Sequence, residues 1–400
     1  MKRVELLSPA GDLERLKVTL LYGADAVYIG GERFGLRANA TNFTLDEIKE
    51  GCKFAHKLGK KVYLTLNIVF HNEDIDEVES YIKDVVDAGI DAFIVSDPCI
   101  ISYIKENFNV EVHLSTQNST TNYEAVNYFK EEGIDRVVLA RELSKSEIKE
   151  IIDKTNVDIE VFIHGAMCTC FSGRCALSNY VTNRDANRGG CAQVCRFSFS
   201  NKDNKEFTMA TKDLNMARYI SDLIDIGVVS LKVEGRMRSL YYLATVIGTY
   251  RKIIDDYYNN SLTEEKLNIY EERLSRVANR EVSSQYFLKE ADYTDQYYTG
   301  RCEVSNQDYL GQVISYDKKN KLLKIYERNY FKLEDKVELF TPFGDNITFN
   351  VEKIYTEDMD SIDVARHPDN IYYIYLDTDL EIGEYSMIRL ICKSNYKVKN

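Results

Sequence analysis

A chain of 400 residues with 44% hydrophobic content can bury two or three domain-sized cores. Its formal net charge of −13 excludes a global attraction for nucleic acid, so any RNA binding requires a local basic surface. The opening MKRVELLSPAGD reaches Glu5 and Asp12 without an apolar run, which excludes a signal peptide or membrane span there and gives a cytoplasmic expectation; in that reducing setting the nine cysteines point to metal rather than disulfides.

The predicted elements follow a repeated order in which a helix closes on Gly, an Asp follows, and a short β-branched or aromatic run comes next. Gly23-Ala24-Asp25 precedes AVYIGG, Gly89-Ile90-Asp91 precedes AFIVSD, Gly133-Ile134-Asp135 precedes RVVLARE, and Gly227 precedes VVSLKVEG. With VELLSP, KVYLTLN, VEVHLSTQ and IEVFIHG they make eight apolar strands within the first 235 residues, most of them separated by amphipathic segments such as DEVESYIKDVVDA and NYEAVNYFKEE. Strands alternating with helices call for a parallel sheet, and a count of eight favours a closed α/β barrel, (β/α)8 and TIM-like, over an open doubly wound sheet. One long insertion, between His164 and the eighth strand, breaks the rhythm and holds five cysteines. The expected organisation is a barrel over 1–250 with a Cys-rich loop at 165–200, a helical linker over 251–298 and a small antiparallel β-barrel over 299–400. The last is read from short alternating runs such as GQVISYDKK and KLLKIYER joined by turns. That unit suits nucleic-acid binding and structural docking equally.

The insertion carries Cys168, Cys170, Cys175, Cys191 and Cys195. The pairs C-x6-C and C-x3-C are local enough to come from one loop, and four thiolates can close an iron–sulfur cluster. Zinc is the first rival, although C-x6-C is long for a structural knuckle; a redox pair at Cys168-Thr169-Cys170 is the second. Catalytic groups of a parallel barrel sit at the carboxyl ends of its strands. Those ends offer Asn67, Gln117, Arg141, His164, Lys232, Glu234 and Arg236, with Arg37 also nominated. His164, Glu234 and Lys232 are the catalytic candidates; Arg37, Asn67, Gln117, Arg141 and Arg236 are the substrate-binding ones. Arg37, Arg141 and Arg236 together suit a substrate bearing carboxylates or phosphates, which guanidinium pairs through two hydrogen bonds. A period of two puts Glu160, Phe162 and His164 on one strand face, with His164 near both the barrel mouth and the cysteine loop. From Arg174 through Arg184 and Arg188 to Arg196 the only acid is Asp185, so Arg184 and Arg188 are candidate RNA contacts, weighed against a merely solvated loop. A peptidase reading finds no G-x-S-x-G elbow and no H-E-x-x-H helix, and its best case is Cys168 with His164.

ELLSPAGD, YGADAVYIGGERFGLRANATNF, E-x-F-x-H-G-A-x-C-x6-C with the following CAQVC, and LKVEGRMRSLYYLATVIGTYRK resemble the peptidase U-32 family along nearly the whole chain. The resemblance implies a cluster, 4Fe-4S in type, on Cys168, Cys175, Cys191 and Cys195, with Cys170 as an extra residue. Length and the segment after residue 300 are most similar to the family's tRNA hydroxylation branch. That implies tRNA as partner, 5-hydroxyuridine at the wobble position as product, prephenate as a small carboxylate co-substrate, and a protein partner from the same family. Collagenase-like peptidase activity, ribosomal RNA hydroxylation and a non-catalytic cluster carrier are the alternatives that the same resemblance leaves open.

Overall fold

The computed structural model describes residues 3–36, 42–278, 280–297, 308–342, 344 and 346–391. Eight parallel strands, β1 Glu5–Pro9, β2 Ala26–Ile29, β3 Lys61–Leu66, β4 Ala92–Val95, β5 Glu111–Leu114, β6 Arg136–Val138, β7 Asp158–Gly165 and β8 Ser230–Val233, pair in sequence order. The barrel closes because β8 pairs with both β1 and β7, Ser230 standing opposite Glu5 on one side and Glu160 on the other. Helices α1 Leu13–Leu21, α2 Leu45–Lys57, α3 Asn72–Asp87, α4 Pro98–Asn107, α5 Tyr123–Glu131 and α6 Lys145–Lys154 follow the first six strands. After β7 come the cysteine loop with its short helix α7 Leu177–Thr182, then α8 Ile220–Asp225; after β8 come α9 Leu240–Tyr258 and α10 Glu264–Val277.

The repeated Gly-x-Asp joints have a physical reason beyond the turn. Gly23, Gly89 and Gly133 take φ of +109°, +96° and +89°, where an L side chain is strained. The aspartate two residues on then accepts the backbone N–H of the neighbouring strand: Asp25 from Leu6 at 2.9 Å, Asp91 from Val62 at 2.8 Å and Asp135 from Val112 at 2.8 Å. Each joint therefore fixes the register of the strand that it starts.

Inside the barrel lies a layer of ions. Glu160, fully buried, meets the Lys232 Nζ at 2.8 Å, Arg136 Nη1 at 3.1 Å and the Ser230 hydroxyl at 2.9 Å. Arg136 also bonds Glu5 at 2.6 Å, and Glu5 accepts the Tyr63 hydroxyl at 2.7 Å. Burial works against the Glu160 charge, but Lys232 and Arg136 outweigh it and hold its pKa down at about 2.

Between β7 and β8 the register slips by one residue: Lys232 faces Phe162, but Val233 faces His164. Ile163 is the extra residue of a β-bulge, and the inside–outside alternation inverts beyond it. The expected shared face of Glu160, Phe162 and His164 is therefore broken: the His164 ring packs between Tyr242 and Tyr250 of α9 rather than over the barrel interior.

Residues after 308 form an antiparallel eight-stranded sheet with its own apolar core around Leu310, Leu323, Phe331, Leu339 and Ile388. Among the described residues the strand order of that sheet runs from Asn346–Asn350 at one end to Ser361–Ile362 at the other. It docks on the (β/α)8 barrel through the stacked rings of Tyr241 and Tyr309 at 4.6 Å, the Tyr22 hydroxyl donating to the Tyr385 carbonyl at 2.9 Å, and Arg276 to Asp308 at 2.9 Å. No described helix is long and apolar enough to cross a membrane.

Candidate active site at the barrel mouth and cysteine loop

The cysteine loop is held over the carboxyl ends of the strands by contacts to several of them. After β6, Glu142 accepts both the backbone N–H and the hydroxyl of Ser172, at 3.1 Å and 3.0 Å. Gly173 lies against the backbone of Gln117 after β5, and a Cβ there would stand 2.0 Å from the Gln117 carbonyl oxygen. After β3, Arg188 donates to the Val69 carbonyl at 2.7 Å and to Asp74 at 2.6 Å, and it lies 3.3 Å from Glu73. Inside the loop, Asn187 donates to the Cys175 carbonyl at 3.0 Å, and Ser178, buried on α7, accepts the N–H of Ala192 beside Cys191 at 3.0 Å.

These anchors place the thiols in one another's electrostatic field. Burial pushes the Cys168 pKa up; Arg141 pulls it down, while Cys191, Glu234 and Cys175 add to the rise. Cys195 is likewise raised by burial first, with Arg196 opposing and Cys168, Cys191 and Cys175 contributing. Cys170 is pushed up to about 12 by burial and by its hydrogen bond with Cys175. Cys191 remains open to solvent. Four thiols of one loop at a barrel mouth are a donor set that fits an iron–sulfur cluster, and Arg141 and Arg196 favour thiolate at Cys168 and Cys195. Among the described residues no group of three or more His, Cys, Asp or Glu side chains is already arranged as a metal site.

Of the expected mouth residues, Arg141 and Glu234 lie near enough to Cys168 to act on it. Arg141 lies 3.8 Å over the Phe162 ring and donates to the Ala166 carbonyl at 2.5 Å, which ties it to the root of the cysteine loop. Arg236 is 7% exposed and crosses Gly30 so closely that a Cβ on that glycine would fall 1.8 Å from its Nη1. Asn67 donates to the Ser115 hydroxyl at 3.3 Å, and its carbonyl oxygen is buried without a protein partner. Glu234 lies close enough to His164 and Cys168 to influence both, and its N–H donates to the His164 carbonyl at 2.8 Å.

Other candidates are placed differently. Lys232 is buried within the barrel, its ammonium on Glu160 and between the rings of Tyr28 and Phe162 at 4.7 and 5.5 Å. His164 is 4% exposed, and its Nδ1 lies 3.1 Å from the Tyr250 hydroxyl. That hydroxyl also has the Ile163 carbonyl at 3.1 Å and Asn215 Oδ1 at 3.2 Å; with one proton to give, it bonds a carbonyl and accepts Nδ1–H. Burial, with Arg238 adding, lowers the His164 pKa to about 3, so the ring is neutral at pH 7. Arg188 is turned inward on Asp74 and Val69, whereas Arg184 is exposed. Arg37 lies outside the described residues. Sequence reasoning missed Arg238, Tyr242 and Tyr250; the spacing of the two tyrosines, eight residues apart on one helix face, was the available signal.

The profile described as Peptidase family U32 matches residues 11–297, and that of the Peptidase family U32 C-terminal domain matches residues 305–389. The chain belongs to peptidase family U32. Within U32, the tRNA hydroxylation protein P1 of Bacillus subtilis (strain 168) is 45% identical over 390 residues, covering 94% of this chain and 92% of its own length. The 23S rRNA 5-hydroxycytidine C2501 synthase of Escherichia coli (strain K12) is 39% identical over 260 residues, which is 63% of this chain and 39% of that protein. A protein named collagenase from Porphyromonas gingivalis (strain ATCC BAA-308 / W83) is 36% identical over 335 residues, 78% of this chain and 80% of its own.

Proposed function

We propose that this U32 protein is an RNA-hydroxylating enzyme acting on tRNA, that it forms 5-hydroxyuridine at the wobble position, and that it works with an iron–sulfur cluster and prephenate. The observation that carries the reading is the joint placement of the cysteine loop and the basic barrel mouth, in a chain that aligns over nearly its full length with a tRNA hydroxylation protein. Cys168, Cys175, Cys191 and Cys195 would hold the cluster, with Cys170, hydrogen-bonded to Cys175, as the extra thiol. When bound, such a cluster supplies one-electron chemistry.

The chain's own residues supply binding and orientation. Arg141 and Arg236, rigidly held at the mouth, suit the two carboxylates of prephenate, and Asn67 and Gln117 stand on the facing strand ends. Glu234, beside Cys168, is the mouth carboxylate placed to handle a proton. His164 and Lys232 act one step back: His164 fixes the end of β7 through Tyr250, and Lys232 holds the ion layer beneath the mouth. The peptidase alternative loses its best pair here, because His164 turns to α9 rather than toward the thiols. The test is complementation of a strain whose tRNA lacks hydroxyuridine: wild-type protein should restore the modified base, and Arg141→Ala or Arg236→Ala should not, while keeping tRNA affinity. Full restoration by either arginine variant would remove the co-substrate assignment.

A further inference from the structure

The cysteine loop exposes more aromatic surface than its packing needs. Tyr180 is 89% exposed, Phe171 62% and Phe197 43%. Large aromatic rings are normally covered, and several left exposed in one loop make a surface suited to a partner.

These rings stand on fixed backbone. Tyr180 lies on α7, whose Ser178 is buried and bonded beside Cys191, so the inner face of the helix is tied to the cysteines and the outer face carries the ring. Phe171 is flanked by Cys170 and by Ser172, which Glu142 grips through two bonds, with Gly173 wedged on Gln117. Phe197 follows the turn Val194–Arg196 that contains Cys195. An aromatic ring on an anchored backbone is a platform that loses little freedom when a flat partner stacks on it.

The local charge says which flat partner. Between Cys168 and Phe207 there are six Lys and Arg against three acids, in a chain with a net charge of −13, and Arg174 and Arg184 are exposed beside the rings in the sequence. A polyanion with unstacked bases satisfies both features, because bases stack on aromatic side chains while the backbone meets guanidinium; a duplex hides its bases and satisfies only the second.

We propose that Tyr180 and Phe171 are stacking platforms for bases of an unpaired RNA loop, with Arg174 and Arg184 on its phosphates, so that the cysteine loop itself selects single-stranded over paired RNA. The inference rests on the RNA reading of this protein and deepens it: the loop that would hold the cluster also sorts the substrate.

The experiment uses full-length protein and two labelled RNAs of equal charge, a hairpin with a seven-nucleotide unpaired loop and a fully paired duplex, in fluorescence anisotropy at about 0.1 M salt. Wild type should prefer the hairpin. Tyr180→Ala and Phe171→Leu should each weaken hairpin binding roughly 5- to 100-fold, as the loss of one stacked base does, without changing the salt slope. Tyr180→Phe, which keeps the π face, should bind as wild type does. Equal affinity of wild type for hairpin and duplex, or unchanged hairpin affinity in the Tyr180→Ala/Phe171→Leu double variant, overturns the proposal. So does a fall in oligomeric state of that double variant by analytical ultracentrifugation with RNA affinity intact, since the rings would then cover a second copy of this chain. tRNA hydroxyuridine in the complemented strain separates the two levels: restoration by wild type with no stacking effect sinks only this inference, whereas failure of wild type to restore it sinks the RNA reading beneath.

Discussion

Replacing Lys232 by Met keeps most of the side-chain volume and removes the ammonium from the barrel interior. The lysine and Glu160 are 5% and 0% exposed and 2.8 Å apart, and at an effective dielectric constant of about 20 such charges attract by roughly 6 kcal/mol. Relief from burying the ammonium returns part of that, and Glu160 keeps Arg136 and Ser230, so the net loss is about 3–5 kcal/mol. The same size follows from acid titration: Glu160 sits at about 2 against an ordinary 4.5, worth roughly 3 kcal/mol at about 1.4 per pH unit. Because the folded pKa is depressed, that stability is present above pH 4.5 and is lost as pH falls toward 2. Urea unfolding at pH 7 followed by far-ultraviolet circular dichroism gives the single-variant loss, and Lys232→Met/Glu160→Gln gives the coupling. The double variant should be at least about 2 kcal/mol more stable than the sum of the single losses would make it, since it leaves no unpaired carboxylate. Strict additivity, or a Lys232→Met loss under about 0.5 kcal/mol, would show that the ion layer does not hold the barrel.

Three further outcomes follow from named contacts. His164→Gln should flatten the acid limb of the stability curve between pH 6.5 and 3: the neutral imidazole is favoured only in the fold, so wild type loses up to roughly 4–5 kcal/mol across that window as pH falls, read by urea midpoints at successive pH values. Arg188→Ala should free the cysteine loop from Val69 and Asp74, giving faster limited proteolysis within 165–200 while the thermal midpoint of the barrel moves by only a few degrees. Gly30→Ala should displace Arg236, abolishing tRNA hydroxylation in complementation with tRNA affinity unchanged by filter binding.

The barrel was legible because its signals are local and repeated. The Gly-x-Asp joints at 23–25, 89–91 and 133–135 combine a positive φ with a side chain that bonds the preceding strand, so residue type alone announces each of them. The cysteines were legible for the same reason, by spacing within one loop. His164 was misplaced because the bulge at Ile163 arises from pairing between β7 and β8, two segments about seventy residues apart, and no local pattern records a register slip. Arg188 read as a free basic residue because its partners, Val69 and Asp74, come from the far side of the barrel mouth. Lys232 stood at a strand end in sequence, yet β8 is only Ser230–Val233 and its second layer points inward to Glu160.

The central claim, that four thiols of one loop hold the redox centre of an RNA hydroxylase, is tested most directly by iron content and absorbance near 400 nm in anaerobically purified variants. Cys175→Ala and Cys191→Ala should lose the iron and the band, and Cys170→Ala should keep most of both. Equal retention in all three, or stoichiometric zinc with no band in the wild-type protein, would contradict it.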